Sequence, residues 1–231
     1  MTPILILLFN FQPVTAVGTD QLFAAMTKTV GSLVHGYNRT VDWRIVGRLA
    51  LGSVPAAILT LVGLWFLKIN SGAANALVTK VLSVALLFTA LSLIIRPLLV
   101  RLYQNRVGEL SRSRTIRLTI ATGLVVGVLV SLTSVGAGAL GVTALILLYP
   151  RIQTSRIVGS DVAHAVPLTL VAGLGHWLQG SVDLKLLGSL LFGSIPGILI
   201  GSYLVPKMPE TALRLLLAAI LIFVSARFLL Q

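Results

Sequence analysis

Among the ionisable residues that fall inside long apolar stretches of this chain are Asp20, Lys28, Asp161 and His164, with His35 and His176 further along the same stretches. A charge buried in an apolar span is costly and usually faces a cavity or a partner. Asp20 and Asp161 stand in GTD and GSD. Each reads either as an N-cap accepting backbone N–H bonds or as a carboxylate that holds a coupling proton or cation. His164 follows Asp161 by three residues, so a helix sets both on one face within hydrogen-bond reach. A histidine can relay a proton near physiological pH, or serve only as a structural donor. Lys28 lies halfway along its run, where an ammonium could attract an anion, pair with Asp20 two turns earlier, or snorkel to an interface. His35 and His176 fall near the ends of their runs, where an interfacial position is expected.

A second candidate is a stretch of backbone. In SLTSVGAGALGVTALILLYP, Ser131 to Pro150, small residues cluster at Gly136, Ala137, Gly138 and Ala139, with Gly141 close behind. These disfavour a regular helix and let the backbone open. Within a bilayer, open backbone survives only where it is buried in protein or lines a polar cavity. An opened span also points helix N-terminal N–H groups at the cavity, an arrangement suited to anions. Gly136, Gly138 and Gly141 are therefore expected at a substrate site, together with Lys28 and with Gly18, Thr19, Gly159 and Ser160 at the starts of two spans.

Composition places these residues in a membrane. Hydrophobic residues make up 56% of the chain and charged residues 10%, and the mean hydropathy is +0.99. Soluble domains carry about 25% charged residues, so this chain cannot cover a soluble surface. The net charge of +12 comes mainly from arginines in short connections, the bias of cytoplasmic loops, which argues against nucleic acid as the partner. There is no cysteine, no metal-ligand spacing and no catalytic motif such as GxSxG or HExxH, so neither a metal nor a cofactor is called for.

A helix needs roughly 20 apolar residues to span. The runs 17–35, 43–67, 74–96, 115–133, 158–178, 184–205 and 211–230 qualify or nearly do, with 1–9 and 140–149 as half-spans. Pro55, Pro167 and Pro196 lie inside these runs and free a helical carbonyl each. Gly193, Gly197 and Gly201 suit close helix packing.

The chain is a duplication. At a constant offset of 141 residues, Gly18, Thr19 and Asp20 meet Gly159, Ser160 and Asp161. In the same register His35 meets His176, Asp42 meets Asp183, and Gly52, Ser53 and Pro55 meet Gly193, Ser194 and Pro196. Two homologous helical halves around a central site are a transporter architecture. The expected fold is an all-α polytopic bundle, with an N-terminal repeat over 1–100, a basic connection over 101–114 and a C-terminal repeat over 115–231. If 115–149 makes one net crossing, the charges favour a cytoplasmic central loop and C-terminus, with the repeats in parallel orientation. If the small-residue break turns the chain back, the later assignments invert.

The residues that carry the duplication also carry a resemblance. GAGALGVTALILLYPR, RIVGSDVAHAVPLTLVAGLGHWLQGSVD and LLGSLLFGSIPGILIGSYL resemble the C-terminal half of the TauE/SafE sulfite exporter family. MTPILILLF, AVGTDQLFAAMTKTVGSLVH and VDWRIVGRLALGSVPAA resemble its N-terminal half. The resemblance implies a multi-pass permease of the bacterial inner membrane for small anions, sulfite or organosulfur anions. Residues 115–141 have no counterpart in the first repeat, and an upstream start, restoring the family's first helix, is the expectation. A membrane-embedded enzyme using Asp161, His164 and His176, or a non-transporting partner subunit, are the alternatives. A homo-oligomer is compatible with the sequence.

Overall fold

A computed structural model describes residues 1–66, 72–104, 111–204 and 210–229. All regular elements among them are helical. They are α1 (Thr2–Leu7), α2 (Pro13–Tyr37), α3 (Trp43–Phe66), α4 (Gly72–Gln104), α5 (Arg112–Thr133), α6 (Val142–Leu148), α7 (Thr154–Leu178), α8 (Leu184–Leu204) and α9 (Glu210–Leu229), with a π-helical turn over Ala137–Gly141 before α6. Four of them, α3, α4, α5 and α7, are long and apolar enough to cross a membrane. Helix α2 equals α7 in length and carries Asp20, Lys28 and His35, as α7 carries Arg156, Asp161, His164 and His176. Large apolar side chains such as Trp65, Phe88 and Phe223 stay exposed on the outside, as a surface that faces lipid requires. Pro55 and Pro167 sit within α3 and α7 as expected. The side chains of Pro196, Gly197 and Gly201 lie outside the described residues.

Glycines set the direction of neighbouring helices. A Cβ on Gly123 would strike the Leu49 backbone, one on Gly52 the Ile120 carbonyl, and one on Gly127 the Ser53 carbonyl. Arg48 on α3 and Thr119 on α5 share the Tyr149 hydroxyl near the helix starts, and Ser53 lies against Gly127 further along, so α3 and α5 are parallel. Helix α7 is parallel to α3 as well: Asp42 meets Arg156 at its start, and Gln179 donates to the Leu61 carbonyl at its end. Helix α2 runs the other way, with Gly18 against His176, Leu22 against Gly173 and Gly31 against Val162.

This arrangement corrects the expected topology. Residues 115–149 do not make one net crossing. Ser134 and Gly136 take left-handed conformations, φ 56° and 108°, which reverse the chain after α5. Helix α6 then returns along α5 until the Tyr149 hydroxyl reaches Thr119 Oγ1 at 2.8 Å and Arg48 Nη1 at 3.1 Å. Arg151 and Arg156 therefore share an end with Arg44, Arg48 and Arg112. Since α2 and its repeat partner α7 are antiparallel, the repeats are inverted, not parallel. By alternation, α8 starts at the end away from the arginines and α9 finishes there, so the central connection and the end of α9 lie on opposite sides.

The two repeats grip each other by exchanging equivalent contacts. Ser160 Oγ accepts the Asp42 N–H at 2.8 Å, and Thr19 Oγ1 accepts the Asp183 N–H at 3.0 Å. Gly159 lies under the Thr40 carbonyl as Gly18 lies under the Ser181 carbonyl. Every one of these pairs maps onto the other by the 141-residue offset. This is a local twofold axis written in hydrogen bonds.

Gly127→Leu should lower the thermal unfolding temperature of the detergent-purified protein, since forcing side-chain volume against fixed backbone costs about 1–3 kcal/mol. Gly47→Leu is the matched control, because nothing lies within 4 Å of a Cβ there. Equal effects of the two would show that α3 and α5 do not touch through glycine.

Candidate functional site

The acids are not caps of their own helices. Helix α2 begins at Pro13 and α7 at Thr154, so Asp20 and Asp161 stand seven residues in, about 10 Å deeper along the axis at 1.5 Å per residue. Asp20 instead caps a different helix. Its Oδ2 accepts from the Thr2 backbone N–H at 2.9 Å, from Thr2 Oγ1 at 2.7 Å and from the Met1 nitrogen at 3.0 Å. These are the otherwise unpaired donors at the start of α1. The N-terminus of one half-span is thus satisfied by a carboxylate from the next helix.

Asp161 holds the equivalent place in the second repeat and is 3% exposed. Its Oδ1 lies against Gly141, where α6 begins; a Cβ on that glycine would collide with it. Yet it accepts no hydrogen bond among the described residues. Thr143, the counterpart of Thr2, has its hydroxyl engaged otherwise: it donates to the Ala139 carbonyl at 2.7 Å and accepts from Ser92 Oγ at 3.0 Å. The π turn supplies that acceptor and removes the donor that its twin offers to Asp20.

Lys28 is the cation between the acids. It is half-buried on α2 and acts electrostatically on Asp161 first and Asp20 second, and on His164. No direct ion pair joins it to either acid among the described residues. The expected Asp20 partnership is the weaker of the two, and Asp20 is already held by Thr2.

The histidines depart from expectation. His164 does not bond Asp161; its Nε2 lies 2.7 Å from Ser53 Oγ on α3, and Nδ1 has no partner. His176 is not interfacial but wholly buried, its Nε2 donating to the Ser131 carbonyl at 3.0 Å, with Nδ1 unpartnered. Only His35 is peripheral, its Nδ1 2.9 Å from Thr40 Oγ1.

Gln21 was not singled out by the sequence. It is fully buried, and its Nε2 donates to the Val130 and Ser131 carbonyls at 2.7 and 3.2 Å, in the last turn of α5. The Val130 carbonyl also accepts the Ser134 N–H at 2.7 Å, whereas the Ser131 carbonyl is met by the Gln21 and His176 side chains. The signal available was its place next to Asp20 in GTDQ, but Val162 stands opposite in the second repeat, so the duplication did not mark it. Gln21 Oε1, His164 Nδ1 and His176 Nδ1 are all buried and unpartnered. Buried polar atoms in native structures are nearly always paired with protein or water, and unpaired ones inside an apolar span cost several kcal/mol each. Their concentration along α2 and α7 marks a polar core between the repeats.

The glycines and hydroxyls divide by role. Gly18, Thr19, Gly159 and Ser160 form the exchange contacts between repeats. Gly136 is buried and held at positive φ, Gly141 yields to Asp161, and Gly138 is exposed with open space around it. The structure brings Asp161, Gly141, Lys28 and His164 into one neighbourhood and sets Asp20 with α1 on the other side of Lys28.

The sequence pattern of the family described as "Sulfite exporter TauE/SafE" matches residues 1–228. The chain is 38% identical over 223 residues, 96% of its length and 87% of the relative's, to "Probable membrane transporter protein YjnA" of Bacillus subtilis strain 168. It is 27% identical over 212 residues, 91% and 82% of the two lengths, to "Probable membrane transporter protein YdhB" of the same organism. No solved structure matches. With a duplicated helical fold, lipid-facing apolar surfaces and a polar core between the repeats, these matches make the protein a membrane transporter and not an enzyme, and the chain belongs to the TauE/SafE sulfite exporter family.

Proposed function

We propose that the protein moves a small anion, sulfite or an organosulfur anion, across the bacterial inner membrane, through the core between α2 and α7. The observation that carries this reading is the place of Lys28 on α2, between Asp20, which caps the start of α1, and Asp161, which lies against the start of α6. Lys28 supplies the attraction for the anion. The α6 start at Gly141 and the open backbone at Gly138 give it N–H groups and room, and Gly136 sets their direction. Gly18, Thr19, Gly159 and Ser160 contribute as the hinge surface on which the repeats rock. Asp161, free of hydrogen bonds among the described residues, carries the coupling proton or ion with His164 beside it; Asp20 is the held member of the pair. The family's description names sulfite, and a cationic residue in the core agrees with an anionic cargo. The negative-inside potential favours anion export by about 2.3 kcal/mol per charge per 100 mV.

The positive-inside rule assigns the end bearing Arg39, Arg44, Arg48, Arg112, Arg114, Arg117, Arg151 and Arg156 to the cytoplasm. The end of α9 then lies outside, opposite to the orientation expected with parallel repeats. The natural sequence has no cysteine, so single substitutions report sidedness cleanly. In intact cells an impermeant maleimide should label Lys185→Cys, and should label Ser113→Cys only after lysis; the reverse pattern would invert the topology.

Purified protein in liposomes should show saturable uptake of sulfite or an organosulfonate, with chloride a poor competitor. Lys28→Ala should reduce that flux about ten- to hundredfold, the range for removing an interaction of 1–3 kcal/mol. Asp161→Asn should keep downhill flux but remove its response to a pH gradient. Absence of sulfur-anion flux, or full flux in Lys28→Ala, refutes the reading.

Gly138→Leu should abolish flux and leave the unfolding temperature in place, since nothing lies within 4 Å of a Cβ at that position. Unchanged flux would remove Gly138 from the site.

A further inference from the structure

At the arginine-rich end, a cavity of about 460 Å³ opens between the starts of α3 and α5 and the connection from α6 to α7; Arg44, Arg48, Arg112, Arg151, Thr115 and Tyr149 line it. We propose that this cavity is a binding site for a phosphate-type oxyanion, built from Arg44, Arg48 and Arg112. The site stands apart from the transport reading and does not depend on it.

The first argument is charge. Arginines converge on one cavity, and its lining contains no carboxylate. Asp42, two residues before Arg44, is spoken for: Oδ1 accepts the Arg44 backbone N–H at 3.0 Å, and Oδ2 faces Arg156 at 3.7 Å. The parallel course of α3 and α5 brings two helix N-termini to the same place. Neither has an acidic residue in its first turn, and each has an arginine there. Cations at helix N-termini add to the positive end of the macrodipole and are unfavourable by themselves. A bound anion offsets both contributions at once.

The second argument is geometry. Arg48 is not a free surface side chain; its Nη1 donates to the Tyr149 hydroxyl at 3.1 Å, and that hydroxyl is in turn 2.8 Å from Thr119 Oγ1. One guanidinium N–H is spent on this tether, and the fork keeps its other donors. Guanidinium groups match the oxygens of phosphate in two-point contacts, which a point charge does not. The exposed indole of Trp43 adjoins Arg44, and tryptophan so placed belongs to the membrane–water interface. A phosphate-type group reaches that depth from two sources, as a free ion from the water or as the headgroup of an anionic phospholipid.

The experiment uses the whole protein and needs no flux. Thermal unfolding is followed in neutral detergent with inorganic phosphate against sodium chloride of equal ionic strength. It is then followed in lipid nanodiscs of phosphatidylcholine alone or with phosphatidylglycerol. The expected result is a rise of several degrees with phosphate, with phosphatidylglycerol, or with both, lost in Arg44→Gln and in Arg112→Gln and kept in Arg117→Gln. A rise with phosphate assigns a soluble ion, and a rise with phosphatidylglycerol alone assigns the headgroup. Arg44 and Arg112 are exposed at helix starts, so each variant without ligand should unfold at the wild-type temperature or above, which separates loss of binding from loss of fold. No rise in either arm, or an equal rise in the variants, overturns the proposal.

Discussion

Water is absent from the bilayer interior, so every backbone donor placed there needs a partner from the protein itself. A full-length span meets this demand with its own helical bonds. A half-span cannot, because its first N–H groups end at membrane depth. The chain starts two short helices, α1 and α6, inside the apolar layer, and much else in the structure answers that demand. Asp20 is at depth because Thr2 needs an acceptor. Gly141 is a glycine because Asp161 comes equally close to α6. Glycines at Gly52, Gly123 and Gly127 then bring α3 against α5, and α5 carries the reversal into α6.

The same demand explains why the duplication is inverted. Antiparallel equivalents let each half close the other: Thr19 holds the backbone before α8, and Ser160 holds the backbone before α3. The twofold axis that relates these contacts lies across the helix direction, since α2 and α7 run antiparallel. A reciprocal interface also means that a shift at one contact is matched at its twin, which makes the halves suited to move as two bodies around the polar core between α2 and α7.

Much of this was legible in the sequence. Apolar runs placed most helices to within about four residues, though α4 continues past the expected Arg96 to Gln104, and the constant offset paired Asp20 with Asp161 and Gly18 with Gly159. The path after α5 was not legible, since GAGA marks a place where backbone can leave the helix but does not distinguish a kink from a reversal. That choice rests on the left-handed turns at Ser134 and Gly136, and on where Tyr149 finds its hydroxyl partners. The acids looked like caps because polar residues in the first turns of α2 and α7, such as Thr15, Thr154 and Arg156, hide where the apolar helices begin. His176 looked interfacial by position along its run, but depth is set by the neighbour it meets, here the Ser131 carbonyl at the end of α5. Gln21 escaped because symmetry was the guide and Gln21 has no polar twin.

The departures from symmetry are the informative residues for mechanism. An inverted pair with identical halves would have inward- and outward-facing arrangements of equal energy, related by the axis. Any preference must then come from residues without an equivalent, because only they contribute differently to the two arrangements. On α2 and α7 these include Lys28 opposite Thr169, Gln21 opposite Val162, and His164 opposite Phe23. All three polar members lie on α2 and α7. Thr169 spends its hydroxyl on the Ala165 carbonyl of its own helix at 2.7 Å, so it leaves the charge of Lys28 unanswered. Asp161 lacks the threonine bond that Asp20 enjoys, and it is the acid on which Lys28 acts first. The one-sided charge and the one-sided vacancy in hydrogen bonding therefore sit together, and a bound anion or a proton added there weighs on one arrangement more than on its mirror.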